Sequence, residues 1–336
     1  MLKKKTLIPL ILIVSIITAS FLFVRDIYQY ADRPADANAE EEILIIHPGQ
    51  NITRISATLH EMGVITSPIK FKILSRLKGV DTKLKTGEYA VSASMSPNAI
   101  LDKIVNGRII LYRVTVPEGY NLSQVSTVIE KSTLGTYDAF YQAASDPVLT
   151  RQLGIDADTF EGYLFPETYF FSKGVTSRKI IETMLGHFRS VFTKQWERQA
   201  EKLGFSIHQI VTLASIIEKE TGVPAERPVI SSVFHNRLKK GMRLESDPTV
   251  IYAIQDFDGN ITRKHLNEKT PYNTYKIKGL PPGPIANPGG KALESALFPA
   301  DTPYFYFVSK RDRTHKFSAN LSEHNRAVRK YQLLRR

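Results

Sequence analysis

The chain has 336 residues, of which 42% are hydrophobic and 23% are charged. This length and balance predict a folded protein of two or three domains and exclude a disordered chain. Cysteine is absent, which excludes disulfides, iron–sulfur clusters and thiolate zinc sites. The net charge of +12 indicates an anionic partner or surface.

The N-terminus predicts a single membrane-spanning helix. Three lysines (residues 3–5) precede residues 7–24, which form a run of 18 residues without a charge. Lysines before the span and only Arg25 directly after it predict that residues 1–6 are cytoplasmic and that the rest lies across the inner membrane. A cleaved signal peptide is the competing interpretation. The Ala-Asn-Ala at 37–39 resembles a cleavage site, but it lies too far beyond an overlong apolar core.

The exported part of the chain stays basic. Without the three lysines and Arg25 it keeps 41 of the 45 basic residues against 33 acidic ones, a charge of +8. A location outside the cytoplasm argues against nucleic acid as the partner. It leaves an acidic wall polymer, an anionic lipid surface or a merely solvated basic surface.

An internal similarity follows the polar linker predicted over 25–42. Segments 45–59 and 115–129 align at a spacing of 70 residues, and each predicts a strand, a glycine turn and a helix. We therefore predict a small domain over 43–112 and a second β-turn-α unit over 113–150. Both resemble the LysM-type module that binds N-acetylated glycans. A small packing domain that only holds the next domain off the membrane explains the pattern equally well.

From about residue 150 the motifs are denser and predict an α+β catalytic domain, which we place at 113–336. The pattern predicts a strand-like segment over 161–171 with a break at Pro166, helices over 206–220 and 226–242, and a strand over 302–310. Segment 279–290 holds four prolines and four glycines, so it predicts a rigid, shaped loop.

Glu218 lies within the apolar run of the 206–220 helix. On a wheel of about 100° per residue with Ile207 at zero, Glu218 falls at about 20° and Val211 at about 40°. Glu220 falls at about 220° and points away from this stripe. The wheel therefore predicts that Glu218, and not Glu220, faces the packed side of the helix.

A carboxyl group in apolar surroundings has a raised pKa, which suits a general acid that protonates a leaving oxygen. The structural alternative is a buried ion pair with a neighbouring helix, for which Arg227 or Arg237 are the candidates. The surrounding aromatic segments and the Pro/Gly loop favour a sugar-binding cleft and hence the acid.

These motifs also resemble a known family. "EGYLFPETY", "LASIIEKET", "FHNRLKKGMRLESDPTVIYA", "PYNTYKIKGLPPGPIANPG" and "YFYFVSK" are similar, in this order, to the YceG-like endolytic murein transglycosylases of the MltG type. The resemblance covers most of 110–330 and includes the N-terminal anchor. It implies cleavage within peptidoglycan glycan strands at the β-1,4 bond after N-acetylmuramic acid, giving 1,6-anhydro ends without net hydrolysis.

The resemblance implies that Glu218 is the catalytic acid. Hydrolytic glycosidases use two carboxylates, but a lytic enzyme can use the hydroxymethyl oxygen of the sugar as nucleophile, so one glutamate suffices. His235, His265 and His315 have no metal-ligand spacing, and the sequence has no Walker loop or Rossmann fingerprint, so neither a metal nor a cofactor is expected. The resemblance also implies that the enzyme works beside peptidoglycan synthases.

Further candidates for substrate binding are polar or aromatic residues within the motifs: Glu161, Asn236, Glu245, Asp247, Tyr272, Asn273 and Tyr275. Glu245 stands where the family often has glutamine, which indicates a substrate contact rather than an essential acid. Asp247 precedes Pro248 and is expected to cap the helix that begins there.

The sequence thus predicts a membrane-anchored lytic transglycosylase that acts on nascent peptidoglycan. A non-catalytic scaffold that binds the wall is the alternative, and an ion-paired Glu218 would favour it. An ordinary glycoside hydrolase would need a second carboxylate, for which Glu245 is the candidate.

Overall fold

The computed structural model describes residues 4–333, with side chains from residue 11 onward. Part of the predicted cytoplasmic segment 1–6 and the last three residues of the predicted catalytic domain lie outside the described residues. The chain divides into two compact units, one up to Tyr112 and one from Arg113 onward. Both combine helices with short strands, as the α+β prediction requires.

The first unit has one long helix, three short helices and two strands. These are α1 (Lys4–Asp32), β1 (Glu41–Ile46), α2 (Ile52–Glu61), α3 (Pro68–Leu77), β2 (Gly87–Ser92) and α4 (Pro97–Asn106). β1 and β2 pair antiparallel and bury alternate side chains on one face of the sheet. Each short helix begins after an Asn or Ser whose side chain accepts a backbone N–H of the first turn.

Helix α1 continues beyond the predicted span and enters the core of the first unit. Ile27, Tyr30 and Ala31 are buried there together with side chains of the sheet and the short helices. The linker predicted over 25–42 is therefore wrong for residues 25–32. Ile27 and Tyr30 are three residues apart on one helix face. Their packing into the core stabilises the helix as far as Asp32.

An apolar stretch of α1 from Ile11 to Asp32 is long enough to cross a membrane, and within an apolar window of 18 residues only 6% of the residues are buried in the protein. Its length and composition fit a membrane anchor and a signal sequence alike. Tyr28, beyond the predicted end of the span, is 56% exposed.

The second unit is mainly helical, with two small sheets. Its elements are β3 (Tyr112–Thr115), α5 (Leu122–Lys131), α6 (Tyr137–Ala144), α7 (Pro147–Gln152), β4 (Thr168–Phe171), α8 (Ser177–Val191), α9 (Lys194–Leu203), α10 (Ile207–Glu220), α11 (Arg227–Lys239), α12 (Asp247–Tyr252), α13 (Arg263–Asn267), α14 (Gly290–Leu297), β5 (Tyr306–Ser309), β6 (His315–Ser318) and α15 (Leu321–Val328). A 3₁₀ turn over Pro224–Glu226 joins α10 to α11, and a π-helical turn over Arg329–Leu333 follows α15. β3 pairs with β4, and β5 pairs with β6.

The two similar segments adopt the same local structure. In each, a glycine with a left-handed backbone (Gly49, φ 82°; Gly119, φ 77°) precedes an asparagine that caps a ten-residue helix, α2 or α5. A second helix follows, and the strand before the first helix pairs with a later strand. The glycan-binding LysM character of these units stays a prediction.

Helix α10 forms the centre of the second unit. It begins at the predicted capping box of Ser206 and Gln209 and packs against α9, α11, α12 and α14. Residues 279–289 form a loop without regular structure, as the prolines and glycines predict, and Gly290 begins α14; the loop is largely buried.

The strand-like segment predicted over 161–171 forms a strand only from Thr168. Gly162 has φ 86°, and a Cβ there would lie 2.5 Å from Cγ of Pro284. The chain therefore turns at this glycine, where the 279–290 loop approaches too closely for any side chain.

Candidate active site

The two acids at the end of α10 lie in different surroundings. The side chain of Glu218 is only 6% exposed, as the wheel predicts. Its Oε1 accepts a hydrogen bond from Nη2 of Arg227 at 2.7 Å, and its Oε2 accepts the backbone N–H of Gly289 at 3.0 Å. Both carboxylate oxygens therefore have protein partners, and Glu218 forms the buried ion pair considered as the alternative.

This arrangement gives Glu218 a structural role. Ser215, one turn earlier on α10, accepts the backbone N–H of Ile285 at 3.0 Å. Ser215 and Glu218 together satisfy backbone groups of the buried 279–290 loop, which has no secondary structure to do so. Burial raises the pKa of Glu218, while the Gly289 N–H and the Arg227 guanidinium oppose that rise by favouring the carboxylate.

Glu220, by contrast, lines a cavity of about 310 Å³. Its Oε1 accepts a hydrogen bond from the hydroxyl of Ser246, and within the described residues its Oε2 has no hydrogen-bond donor. The lining is polar and partly aromatic, and comprises Glu220, Arg237, Leu244, Glu245, Asp247, Tyr275, Phe307 and His324. One oxygen of Glu220 is thus held in place while the other remains free for a ligand.

The surroundings of Glu220 bring its pKa close to neutral pH. Burial raises its pKa to about 7, and the charge of Asp247 adds to the rise. The Ser246 hydrogen bond and the charge of Arg237 act in the opposite direction. A carboxyl group with this pKa can both donate and accept a proton at neutral pH.

Arg237 joins two walls of the cavity. Its guanidinium donates to the carbonyl oxygens of Phe305 at 2.7 Å and Leu244 at 2.9 Å, and also to Oε2 of Glu245 at 3.3 Å. Glu245 has φ 49°, an uncommon backbone conformation for a residue with a side chain. Its N–H donates to the carbonyl of Thr274 at 3.2 Å, so one hydrogen bond holds the backbone of Glu245 and the Arg237 contact holds its side chain.

The predicted capping role of Asp247 is wrong. Ser246 occupies the cap position, and Asp247 is the first residue of α12. The carboxylate of Asp247 instead accepts a hydrogen bond from the Tyr275 hydroxyl at 2.7 Å. This bond holds the Tyr275 ring at the edge of the Glu220 cavity.

Two other candidates lie in a second cavity, of about 370 Å³. Glu161 is 4% exposed, and its Oε2 accepts hydrogen bonds from the Leu122 N–H at 3.0 Å and the Tyr252 hydroxyl at 3.1 Å. Burial raises the pKa of Glu161 to about 7. The Tyr272 ring, 4.9 Å from that of Tyr252, lines the same cavity.

The two asparagines stabilise turns and have no free amide hydrogens for a sugar. Asn236 donates to the carbonyl oxygens of Thr302 and Tyr304 at 2.8 and 2.9 Å. Asn273 is 1% exposed and donates to three carbonyl oxygens of the α13 region. Neither lines the Glu220 cavity, and Asn236 lines a separate cavity of about 860 Å³.

The structure therefore brings Glu245, Asp247 and Tyr275 together around Glu220 and not around Glu218. Sequence reasoning missed Glu220 and Arg237 as members of the site. The available signal was the pair of acids in "EKE", because a helix places residues two apart on different faces. The residues packed against each face decide which of the two acids can contact a ligand.

A sheltered acid of near-neutral pKa in a polar and aromatic cavity is typical of enzymes that protonate a leaving oxygen. Residues 44–330 match the YceG-like family. The chain therefore belongs to the YceG-like family, and the resemblance noted from its motifs is confirmed.

Named relatives and a solved structure agree with this. A Bacillus subtilis (strain 168) protein named endolytic murein transglycosylase is 34% identical over 333 residues, covering 94% of this chain and 91% of that relative. Relatives with the same name in Streptococcus pneumoniae strains D39 and R6 are 30% identical over 329 residues. The alignment covers 88% of this chain but only 59% of each of them. A crystal structure of a YceG-like protein of Listeria monocytogenes matches with a TM-score of 0.59 and 34% identity, covering 86% of this chain and all of that one.

Proposed function

We propose that the protein is a peptidoglycan lytic transglycosylase with Glu220 as its general acid and base. The name of its relatives supplies the reaction class. The observation that carries the assignment is the position of Glu220, a carboxyl group with a pKa of about 7 that lines a polar cavity.

Glu220 replaces Glu218 in this proposal because of their different partners. Both oxygens of Glu218 are occupied, by Arg227 and by the Gly289 N–H. Breaking that ion pair to protonate a sugar oxygen would leave the buried Arg227 guanidinium with only the Glu118 carboxylate, 3.6 Å away and about half exposed, as its partner, which is unfavourable. Glu220 needs no such rearrangement.

The reaction uses one carboxyl group twice. Protonated Glu220 donates its proton to the glycosidic oxygen as the bond from C1 of the N-acetylmuramic acid breaks. The resulting carboxylate then takes the proton of that sugar's C6 hydroxyl, whose oxygen bonds to C1 and forms the 1,6-anhydro ring. The atoms balance without water, so a second catalytic carboxylate is unnecessary.

Three neighbours of Glu220 are proposed to bind the glycan. Glu245 and Asp247 offer carboxylate oxygens to sugar hydroxyl and amide groups, and Tyr275 offers a ring face. Arg237 orients Glu245 through the 3.3 Å contact between Nη1 and Oε2.

We further propose that α1 is an uncleaved anchor in the inner membrane, with the second unit outside the cytoplasm. Cleavage after 37–39 would remove Ile27, Tyr30 and Ala31 from the core of the first unit, at a cost of several buried side chains. The lysines at 3–5 support the orientation. An enzyme held there would act where synthases deliver new strands.

The test is digestion of purified peptidoglycan by the full-length protein in detergent, with mass spectrometry of the products. We expect anhydro ends from the parent chain and a loss of at least about 100-fold in Glu220→Gln, the usual contribution of a general acid. Glu245→Gln serves as the control from the same cavity and should keep most of the activity, because the family often has glutamine at this position and the amide oxygen can still accept a hydrogen bond from the sugar. Glu218→Gln, corrected for its folded fraction, should also stay active.

Three outcomes would change the assignment. Loss of activity in folded Glu218→Gln with an active Glu220→Gln would return the proton chemistry to Glu218. Reducing ends instead of anhydro ends would mean hydrolysis, with Glu245 as the second carboxylate. Glycan binding without any cleavage by the parent chain would favour the scaffold.

A further inference from the structure

The first unit follows the proposed membrane span without a flexible joint. Helix α1 is continuous to Asp32, and its last two turns are part of the core of that unit. The following inference rests on the proposed anchoring of α1. Since a helix is rigid over such a short distance, the depth of its final turns in the bilayer determines the height of the first unit.

Two contacts place the first turn of α3 beside the membrane end of α1. Asp26 is two residues, or about 3 Å of helix rise, beyond residue 24. Its Oδ2 lies 2.8 Å from Nζ of Lys70 in α3. One turn later the hydroxyl of Tyr30 donates to the carbonyl oxygen of Ser67 at 2.9 Å. The headgroup layer is roughly 5–8 Å thick on each side, so Lys70 lies at headgroup depth.

The outward face of α3 combines aliphatic and basic side chains. Ile69 is 66% exposed and Leu77 is 51% exposed, although both are large and apolar. Lys72 and Arg76, three and seven residues after Ile69, lie on the same side of the helix as Ile69. Neither has an ion-pair partner in the described part of the chain, whereas Lys70 is paired with Asp26.

This composition is typical of a surface in contact with lipid headgroups. The segment 67–79 has four basic residues and no acidic one. Basic side chains are attracted to anionic lipid, while neighbouring aliphatic side chains enter the boundary between headgroups and acyl chains. In water the same aliphatic side chains would only expose apolar surface.

We propose that the outward face of α3, formed by Ile69, Lys72, Arg76 and Leu77, lies on the bilayer and binds anionic phospholipid headgroups. The bilayer is the expected partner of this face because α1, which packs against α3, continues directly into the proposed membrane span. The first unit is then held on the membrane surface by two attachments, the helix α1 and this face. Its rotation about α1 is restricted accordingly.

The absence of cysteine from the chain allows a direct test. Single-cysteine variants of the full-length protein are labelled with a fluorophore and placed one per nanodisc, in phosphatidylcholine alone or with a third of phosphatidylglycerol. Quenching by headgroup-attached nitroxide lipid reports contact. Ile69→Cys is the test position. Ile43→Cys is the matched control, a 56% exposed isoleucine on the sheet face that points away from the core and its helices.

We expect strong quenching at position 69 in anionic nanodiscs, weaker quenching in neutral ones, and little at 43. We then add Lys72→Glu and Arg76→Glu to the labelled protein. The ratio of membrane-bound to water-exposed α3, read from the quenching at position 69, should fall by more than about tenfold, since each basic residue near an anionic surface contributes roughly fivefold. Arg54→Glu with Lys83→Glu changes the net charge equally and should leave the quenching unchanged.

A label at Ile16, inside the proposed span, separates the two proposals. It should be quenched by nitroxides attached to acyl chains. If the label at 16 is quenched but the label at 69 is quenched no more than the label at 43, the α3 contact is refuted and the anchor is retained. Absence of quenching at 16 would overturn both. Quenching at 69 that ignores lipid charge and the Lys72/Arg76 changes would also overturn headgroup binding.

Discussion

The hydrogen bond from Ser246 to Glu220 should control the pH range of activity. Ser246 is 2% exposed and donates its hydroxyl to the carboxylate of Glu220. A hydrogen bond to a charged group contributes roughly 1.5–3 kcal/mol, and one pKa unit corresponds to about 1.4 kcal/mol. Ser246→Ala removes a bond that favours the ionised form. It should therefore raise the pKa of Glu220 above its value of about 7, by roughly one to two units.

A second substitution should move the same pKa in the opposite direction. The negative charge of Asp247 raises the pKa of Glu220, so Asp247→Asn should lower it. Asp247 is exposed, and solvent screens its charge, so a shift of only a few tenths of a unit is expected. Asparagine can still accept the hydrogen bond of Tyr275, which keeps the wall of the cavity in place.

The assay is the initial rate of anhydro-end formation between about pH 5 and 9. A general acid must be protonated at the start of the reaction, so the rate falls on the alkaline side as Glu220 ionises. We expect this alkaline limb to move upward in Ser246→Ala and slightly downward in Asp247→Asn. Thermal denaturation at each pH checks that the variants are folded. Identical alkaline limbs in all three proteins, or shifts of the opposite sign, would refute Glu220 as the acid.

Three further predictions concern stability, each measured by chemical denaturation. Arg227→Met should destabilise the protein by roughly 3–5 kcal/mol because it leaves the buried Glu218 carboxylate without its cation, and adding Glu218→Gln should recover part of the loss. Gly162→Ala should cost roughly 2–5 kcal/mol, from left-handed strain plus overpacking against the 279–290 loop, whereas Gly174→Ala, with φ 78° and open space around it, should cost only about 1–2 kcal/mol. Because burial raises the pKa of Glu161 from 4.5 to about 7, the native state retains its proton longer than the unfolded state, and stability falls as pH rises across that interval. Glu161→Gln should remove up to about 3 kcal/mol of this fall between pH 5 and 8, and an unchanged pH dependence would contradict the raised pKa.

Local sequence patterns were sufficient for most of the secondary structure around the site. The capping box of Ser206 and Gln209 marks the start of α10, and the prolines and glycines of 279–290 exclude regular structure there. These features depend on residues three or four positions apart, so the sequence contains them directly. The strand predicted over 161–171 was wrong in its first half because the close approach of Pro284 to Gly162 joins residues distant in the chain.

The helical wheel determined that Glu218 faces the packed side of α10, and the structure agrees. It did not determine what each acid meets. Arg227 reaches Glu218 from the next helix, and the Gly289 N–H comes from 71 residues along the chain. Ser246 reaches Glu220 from 26 residues along the chain. A wheel records direction relative to the helix axis and carries no information about the neighbours on either side.

The amino-acid sequence by itself therefore determined the apolar N-terminal segment, the α+β composition, the family motifs and the presence of two acids on different faces of α10. The tertiary structure decided that one acid is an ion-paired support for a buried loop while the other lines a cavity with Glu245, Asp247 and Tyr275. It also decided that α1 continues into the core of the first unit. The physical reason is the same in both cases. Burial and charge pairing depend on groups brought together from distant parts of the chain, and these set whether a side chain supports the fold or meets a ligand.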